Sequence, residues 1–252
     1  MSLALALLLA GSDVVAAAPP VPADHAADAI YDPAVMAQVR ADLAREHGGM
    51  THAMIGTELF ELVPGSGRDG YRIEGNGWWG GDRNRAVIEL RGEGDFGKRP
   101  DEAEVDLLYS RAVNPWFNLQ AGLRQDIEPG RTSSLALGVK GLARWQIATE
   151  AMVFLSTRGD LLARLEASHE MRLTQRLLLV PRLELNLSSR AARDDHDIGD
   201  RSIELGLRLH YAFVPRFAPY LGVDWRDRFG TDRLGGDRKG GARFVTGVRF
   251  WF

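Results

Sequence analysis

The stretch from His47 to Met54 concentrates side chains that bind soft metal ions. The imidazoles of His47 and His52 and the thioethers of Met50 and Met54 lie within eight residues, separated by a Gly pair that allows the backbone to bend sharply. Thioether sulfur and neutral imidazole nitrogen suit Cu(I) better than they suit hard cations such as Mg²⁺. These four side chains are the first candidate metal site, with Cu(I) favoured and Cu(II) as the alternative.

The same residues also have a purely structural interpretation. A histidine near the C-terminus of a helix is stabilised by the helix dipole without any metal, and Met54 fits the start of a strand. Four further soft side chains are secondary candidates: His25, Met36, Met152 and His210. Met36 lies near the apolar stripe of a predicted helix, where methionine more often packs than ligates.

Composition excludes several classes of protein. The 252 residues carry 31 Lys and Arg against 34 Asp and Glu, so a nucleic-acid partner is not expected. The chain has no Cys, which excludes thiolate metal sites and disulfides. No apolar run is long enough to cross a bilayer as a helix, and the common motifs of hydrolases and phosphate-binding enzymes are missing. We therefore expect a protein that is not an enzyme.

The chain before the metal-ligand stretch divides into a leader, a linker and a helix. Residues 1–18 have an apolar run followed by small residues, which predicts a secretory signal peptide. Residues 19–53 follow as a Pro-rich linker, a helix and the His/Met segment. The helix is predicted over 33–46, with Asp32 as its cap and Pro33 at its first position. Residues 54–252 form the remaining domain.

From residue 54 onward, apolar and polar side chains alternate with a period of two, which is typical of β-strands. Twelve segments can be drawn, most of them ten to fourteen residues long, which is enough to cross a membrane at a tilt. Short connections alternate with others that include long polar loops, as in outer-membrane barrels. The prediction is an antiparallel transmembrane β-barrel of about twelve strands in the outer membrane, with both termini periplasmic and lipid around it.

The last segment and the aromatic residues support this fold. Phe244, Thr246, Val248, Phe250 and Phe252 share one face, and a final Phe behind alternating apolar residues resembles the assembly signature of outer-membrane barrels. Several Trp and Tyr residues fall near predicted strand ends, where interfacial girdles lie. A two-sheet sandwich shows similar alternation, but the connection lengths favour the barrel.

The alternation also predicts a charged barrel interior in which most side chains form ion pairs. The side chains expected to point inward are Glu58, Arg72, Glu74, Glu89, Arg91, Glu93, Glu102, Glu104, Asp106, Arg124, Glu150, Arg164, Glu166, Glu170, Arg182, Glu184, Glu204, Arg208, Asp224, Arg226 and Arg249. Met152 and His210 are the soft ligands expected among them. His169 is expected on the outer face, and His196 lies in the acidic loop 194–197.

Many short segments from about residue 28 to the end resemble the copper resistance protein B (CopB) family. They include Arg45-Glu46-His47-Gly48-Gly49, Gly77-Trp78-Trp79-Gly80-Gly81-Asp82, Leu108-Tyr109-Ser110-Arg111-Ala112, Pro181-Arg182-Leu183-Glu184-Leu185-Asn186 and the closing Arg249-Phe250-Trp251-Phe252. No single motif is decisive, but their order and spacing make the resemblance specific.

The resemblance implies an outer-membrane protein of Gram-negative bacteria that handles copper alongside a periplasmic multicopper oxidase. It also implies N-terminal repeats rich in Met and His, but between residues 19 and 46 this chain has only His25 and Met36. The favoured hypothesis is a copper-binding barrel that sequesters copper or moves it across the outer membrane. The alternatives are a structural or translocator barrel plugged by the N-terminal helix, and an outer-membrane hydrolase. For the hydrolase His169 is the outward candidate base, but the alternation places the neighbouring Ser168 on the inner face.

Overall fold

The computed structural model describes residues 25–47, 50–65, 67–189, 201–229 and 241–252. The predicted signal peptide, the first part of the linker and the loop that contains His196 lie outside these residues. The chain divides between Gly49 and Met50 into two compact units, each of which is described by itself.

The N-terminal unit contains a short 3-10 helix, Ala26–Ala29, and the helix α1, Pro33–His47. The Asp32 carboxylate accepts a hydrogen bond of 2.8 Å from the backbone N–H of Ala34, so the predicted cap and helix are confirmed. The Arg40 guanidinium donates two hydrogen bonds to Asp28, of 2.5 and 3.0 Å, and these hold the pKa of that carboxyl below its usual value. No helix among the described residues is long and apolar enough to cross a bilayer.

The second unit is a closed antiparallel β-barrel, as predicted. Its strands are β1 His52–Val63, β2 Gly70–Gly80, β3 Asn84–Asp95, β4 Glu102–Ala112, β5 Phe117–Glu128, β6 Thr132–Ala143, β7 Ile147–Ser156, β8 Leu161–His169, β9 Met171–Arg172, β10 Leu177–Ser188, β11 Arg201–Tyr211, β12 Phe217–Phe229 and β13 Gly241–Trp251. β8 and β9 pair successively with β10 and are interrupted only at Glu170. They form one barrel strand, so the barrel has twelve.

β13 closes the barrel by pairing with β1. Beyond the end of β13, Phe252 and Ile55 exchange two backbone hydrogen bonds of 3.0 and 2.8 Å. The predicted final strand is thereby confirmed as a wall strand. β1 begins at His52, which corrects the predicted strand start at residue 54 by two residues and places His52 inside the barrel wall.

The two ends of the barrel differ. One end, called the terminal end here, holds the start of β1, the end of β13 and the five short connections 81–83, 113–116, 144–146, 173–176 and 212–216. The other, the loop end, holds 64–69, 96–101, 129–131, 157–160 and the two longest connections, 189–200 and 230–240. Because the number of antiparallel strands is even, the first strand starts and the last strand ends at the same end of the barrel.

The outer face of the barrel is apolar and the inner face is charged. Outward side chains such as Ile55, Leu107, Leu135 and Leu221 are more than half exposed, while the inward ion-pairing side chains are mostly buried. A continuous apolar surface is unfavourable in water, whereas a barrel surface in contact with hydrocarbon must be apolar. The outer face therefore fits a lipid environment.

A β-bulge at Glu58 interrupts the alternation in β1. Thr57 pairs with Gly75 and Leu59 with Glu74, so two steps along β1 match one step along β2. A bulge inserts one extra residue into a ladder and shifts the phase of the side chains beyond it. Consequently even-numbered residues of β1 face inward before the bulge, and odd-numbered residues, including Glu61, face inward after it.

Candidate functional site

The first candidate metal ligands lie at the terminal end, where β1 begins. Met50 precedes the strand and its side chain is about half exposed, His52 is its first residue, and Met54 follows on the same side with partial burial. Ile55, on the opposite side, is 67% exposed. Since successive side chains of a strand alternate between faces, His52 and Met54 face the mouth of the lumen.

An aromatic side chain lies beside these ligands. Met54 is directly opposite Trp78 of β2 in the strand register, and His52 is opposite Gly80. The guanidinium of Arg85 stacks over the Trp78 ring at 4.1 Å from its centroid. The register therefore places the Met54 and Trp78 side chains on the same face of the wall at the mouth.

The structure does not bring all candidate ligands together. His47 is the last residue of α1, and its side chain lies outside the part of the chain that the structure describes. His25 and Met36 belong to the N-terminal unit. Met152 is 1% exposed and packs in an apolar cluster with Leu108, Ala136 and Phe154, which is a packing role.

His210 is buried in the lumen as predicted. Its ring stacks against Tyr220 at a centroid distance of 4.5 Å, and neither ring nitrogen has a hydrogen-bond partner among the described residues. A buried imidazole without partners is costly unless water or a ligand satisfies it. Over that same part of the chain, no three His, Asp or Glu side chains come together in an arrangement that could hold a metal ion.

The lumen is crossed by ion pairs that join opposite walls, as the sequence predicted. Arg91 of β3 binds Glu166 of β8, and Arg182 of β10 binds Glu74 of β2 at 2.8 Å. A third pair joins Arg164 of β8 to β4 through Glu104.

A row of four glutamates explains why so many arginines are needed. Glu150, Glu166, Glu184 and Glu204 are directly opposite one another on the consecutive wall strands β7, β8, β10 and β11. Like charges in such register positions repel each other. Lys140, Arg91, Arg182 and Arg72 bind these carboxylates, so the row depends on cations from the rest of the wall.

A second cluster of ion pairs connects strands on the two sides of the barrel closure. Arg72 binds Glu204 and Glu93, while Arg226 binds the same two carboxylates at 2.6 and 2.7 Å. Arg208 of β11, 2% exposed, binds Glu61 of β1 at 2.6 Å. These contacts tie β11 and β12 to β1, β2 and β3, across the closure of the barrel.

Several inward charges were not predicted. Glu61 was missed because the bulge at Glu58 shifts the alternation, and no residue type in the sequence marks that bulge. Lys140, which binds Glu89 and Glu150 at 2.8 and 2.7 Å, could have been found, since it alternates with the outward Leu135, Leu137 and Val139. Asp126 and Arg243 also join the network.

Open space in the lumen is divided by the ion pairs. A cavity of about 770 Å³ faces the loop end and is lined by charged side chains, among them Arg72, Arg164 and Arg226. A second cavity, of about 20 Å³, is lined by five glutamates together with Lys140 and Arg91. Arg91 and Glu74 line both, so the ion pairs around them separate the two spaces.

A closed antiparallel barrel of twelve strands, with an apolar outer face and a charged interior, is an outer-membrane β-barrel. Its fold is similar to the structure entitled "NanC porin structure in rhombohedral crystal form", with a TM-score of 0.50 at 15% identity, covering 79% of this chain and 98% of that one. At this identity the likeness concerns the fold alone.

The chain belongs to the copper resistance protein B (CopB) family, whose model matches residues 51–252. It is 38% identical over 186 residues to the copper resistance protein B homolog of Pseudomonas syringae pv. tomato (strain ATCC BAA-871 / DC3000), and 37% identical over 186 residues to copper resistance protein B of Escherichia coli. Each match covers 70% of this chain and 62% of the relative, so the chain spans less than two thirds of their length. Neither relative is named as an enzyme.

Proposed function

We propose that this protein binds copper at the terminal mouth of its barrel and serves copper resistance by sequestering the ion or passing it across the outer membrane. The observation that carries the proposal is the position of Met50, His52 and Met54. These soft ligands lie within five residues, at one opening of a barrel that belongs to a copper resistance family. His47 ends α1 five residues before β1 begins and completes the proposed set.

The ligand types favour Cu(I), with Cu(II) as the alternative. Thioether sulfur binds Cu(I) well, and imidazole binds copper in its neutral form. In this account copper is the cargo of the barrel. Met54 and His52 orient toward the lumen opening because β1 holds them on one side, and Met50 precedes them by two residues.

A copper ion bound at the mouth can either stay there, which is sequestration, or move on into the charged lumen, which is transport. The small cavity lined by Glu58, Glu89 and Glu150 supplies carboxylates to any cation that moves inward. The ion pairs of Arg91 and Arg182 then close the path toward the loop-end cavity. Sequestration requires only the mouth, whereas transport requires those pairs to rearrange.

The orientation and partners follow from the same proposal. We propose that the terminal end lies in the periplasm, because residues 1–18 are expected to direct export and an exported chain is expected to have both ends of its barrel there. A mouth that receives copper in the periplasm would work beside a periplasmic multicopper oxidase, as the family resemblance implies. Outer-membrane lipid surrounds the apolar face.

The competing hypotheses have weaker support. A translocator barrel plugged by the N-terminal helix requires an open lumen, but wall-to-wall ion pairs such as Arg164 with Glu104 occupy it. A hydrolase would require a nucleophile and a base on one face. Ser168 and His169 are adjacent in β8 and therefore point to opposite faces, and His169 Nδ1 lies 3.2 Å from the carbonyl oxygen of Gln146.

A competition titration with a Cu(I) chelator tests the proposal on the purified, folded barrel. The combined variant His47→Ala, Met50→Leu, His52→Ala and Met54→Leu should lose most of the Cu(I) affinity of the unaltered protein. The matched control, His25→Ala with Met36→Leu, removes two soft ligands from the N-terminal unit and should keep it. Equal affinity in the combined variant and the unaltered protein would show that copper binds elsewhere.

A further inference from the structure

An indole and a guanidinium lie beside the candidate copper ligands on the inner wall of the mouth. Trp78 of β2 is directly opposite Met54 in the strand register. Arg85 of β3 is opposite Gly80, which is itself the partner of His52. The copper proposal gives neither side chain a role, yet their chemistry bears on which metal ions the mouth accepts.

Both side chains point toward the lumen rather than toward lipid. Trp79, the next residue after Trp78 in β2, is 64% exposed on the outer face, and successive side chains of a strand alternate between faces. Opposite Trp78 on β3 is Val87, which packs against the apolar cluster around Met152 inside the barrel. Arg85 precedes Val87 by two residues and therefore shares its inward face.

The Trp78 ring already has a cation in contact with it. The guanidinium carbon of Arg85 lies 4.1 Å from the ring centroid, and Arg85 Nε donates a 3.1 Å hydrogen bond to the carbonyl oxygen of Gly81. Among aromatic side chains, the indole attracts cations most strongly. The contact shows that positive charge reaches this ring from inside the mouth.

The connection that follows β2 brings Met50 close to the same pair. A Cβ added to Gly81 would lie 3.7 Å from the carbonyl oxygen of Met50, so the segment before β1 runs beside the 81–83 connection. Gly81 is also the residue that accepts the hydrogen bond from Arg85. Met50 through Gly81, and Met54 through the strand register, are thus both next to the contact between Arg85 and Trp78.

The wall positions beside the ligands include one fixed positive charge and no carboxylate. On β1, β2 and β3 these positions form two rows, which are His52, Gly80 and Arg85, then Met54, Trp78 and Val87. Coulomb energy scales with the product of the two charges. The Arg85 guanidinium therefore repels a divalent ion at these ligands twice as strongly as a monovalent ion in the same place.

We propose that Trp78 and Arg85 restrict the mouth site to soft monovalent ions, which makes Ag(I) a second cargo beside Cu(I). The indole attracts a weakly hydrated cation held by thioether and imidazole ligands. Zn²⁺ keeps its water more tightly and is repelled more strongly by Arg85. The inference rests on the proposed function, since it concerns the same ligands, and it identifies the class of ion that they take.

Titration with silver nitrate in chloride-free buffer tests the role of Trp78 on the full chain folded in detergent micelles. Ag(I) should quench part of the tryptophan fluorescence, and competition with a chelator gives its affinity. Trp78→Leu should lose that part of the quenching and bind Ag(I) about twofold to thirtyfold more weakly, as expected when a cation leaves an indole face. The matched control Trp79→Leu removes the adjacent outward indole and should keep the affinity.

Trp78→Phe should bind Ag(I) with an affinity between those of Trp78→Leu and the unaltered protein, because a phenyl ring attracts cations less than an indole does. This ordering separates attraction by the ring from a loss of local structure. If Trp78→Leu fails to fold, the Phe variant decides, and an affinity equal to that of the unaltered protein would overturn the role of the indole.

Arg85→Gln tests the selection between charges. It should raise the affinity for Zn²⁺ by a larger factor than the affinity for Ag(I), so that the preference for the monovalent ion falls. Arg83→Gln removes an exposed arginine from the neighbouring connection and should change that preference far less. An unchanged preference in Arg85→Gln, or Zn²⁺ bound as tightly as Ag(I) by the unaltered protein, would contradict the proposed selection.

Failure of this inference is distinguishable from failure of the copper proposal. If the combined variant of the four candidate ligands loses its affinity for Cu(I) while Trp78→Leu keeps full affinity for both Cu(I) and Ag(I), the role of Trp78 is overturned and the copper site stands. If the combined variant keeps its affinity, both proposals are overturned.

Discussion

Arg72 and Glu204 bind each other across the barrel interior although 132 residues separate them in the chain. The guanidinium donates two hydrogen bonds to the carboxylate, one of them 2.6 Å long. Both side chains are 7% exposed. This pair joins β2 to β11 through the lumen, and it shows how the interior charges hold together strands that are not neighbours in the wall.

Removal of one partner of this pair should destabilise the barrel more than removal of both. Glu204→Leu leaves the Arg72 charge with fewer acceptors in a buried place, which should cost about 3–5 kcal/mol of unfolding free energy. The double variant Arg72→Leu with Glu204→Leu should recover part of that loss. Reversible urea unfolding in lipid vesicles measures the unaltered protein, the single variants Arg72→Leu and Glu204→Leu, and the double variant. A loss in the double variant equal to the sum of the two single losses would contradict the pairing.

The ion pairs between the two cavities should limit ion flow through the barrel. The charge-balanced variant Arg91→Ala with Glu166→Ala removes a contact that spans the lumen from β3 to β8. Its single-channel conductance in a planar bilayer should exceed that of the unaltered protein. The control is Lys98→Ala with Asp95→Ala, an equally balanced pair near the loop end.

The control pair should leave the conductance unchanged, because Lys98 and Asp95 lie where the cavity is already wide. If both variants conduct like the unaltered protein, the contact between Arg91 and Glu166 does not form the narrowest part of the lumen. If both conduct more, the constriction lies nearer the loop end than the structure indicates.

Most of the barrel follows from the sequence because lipid and lumen impose opposite requirements on alternate residues. Ile88 and Leu90 face outward while Glu89 and Arg91 face inward, and no other fold accommodates that pattern over twelve segments as simply. The phase of the alternation within β1 could not be predicted. A bulge depends on how two strands pair, and that information is not contained in either strand alone.

Deletion of Glu58 should therefore be tolerated. With this residue removed, Thr57 and Leu59 become consecutive and retain their outward and inward positions, so β1 becomes a regular strand. Deletion of Leu123 from β5, whose pairing with β6 has no bulge, should instead invert part of that strand and prevent folding. The shift in gel mobility between heated and unheated samples reports folding, and similar results for the two deletions would contradict the bulge assignment.

The sequence predicted the candidate ligands and their position between the helix and the first strand, but it began that strand two residues too late. The sequence places His52 and Met54 two positions apart, and only the start of β1 at His52 turns this spacing into a shared face at the lumen mouth. For Met152 the sequence favoured packing over metal binding, but it could not show which residues surround the side chain. Met152 is buried against Phe154 on its own strand, β7, and against Leu108 on β4. The strand register aligns these residues around the barrel, although β4 and β7 are not neighbours.

Anomalous diffraction at the copper edge, from crystals of the protein loaded with copper, locates the bound ion. We expect an anomalous peak at the terminal mouth, bonded to the sulfur of Met54 and to the His52 ring, with Met50 or His47 completing the coordination. A peak on the buried ring of His210 or among the lumen glutamates, with none at the mouth, would contradict it.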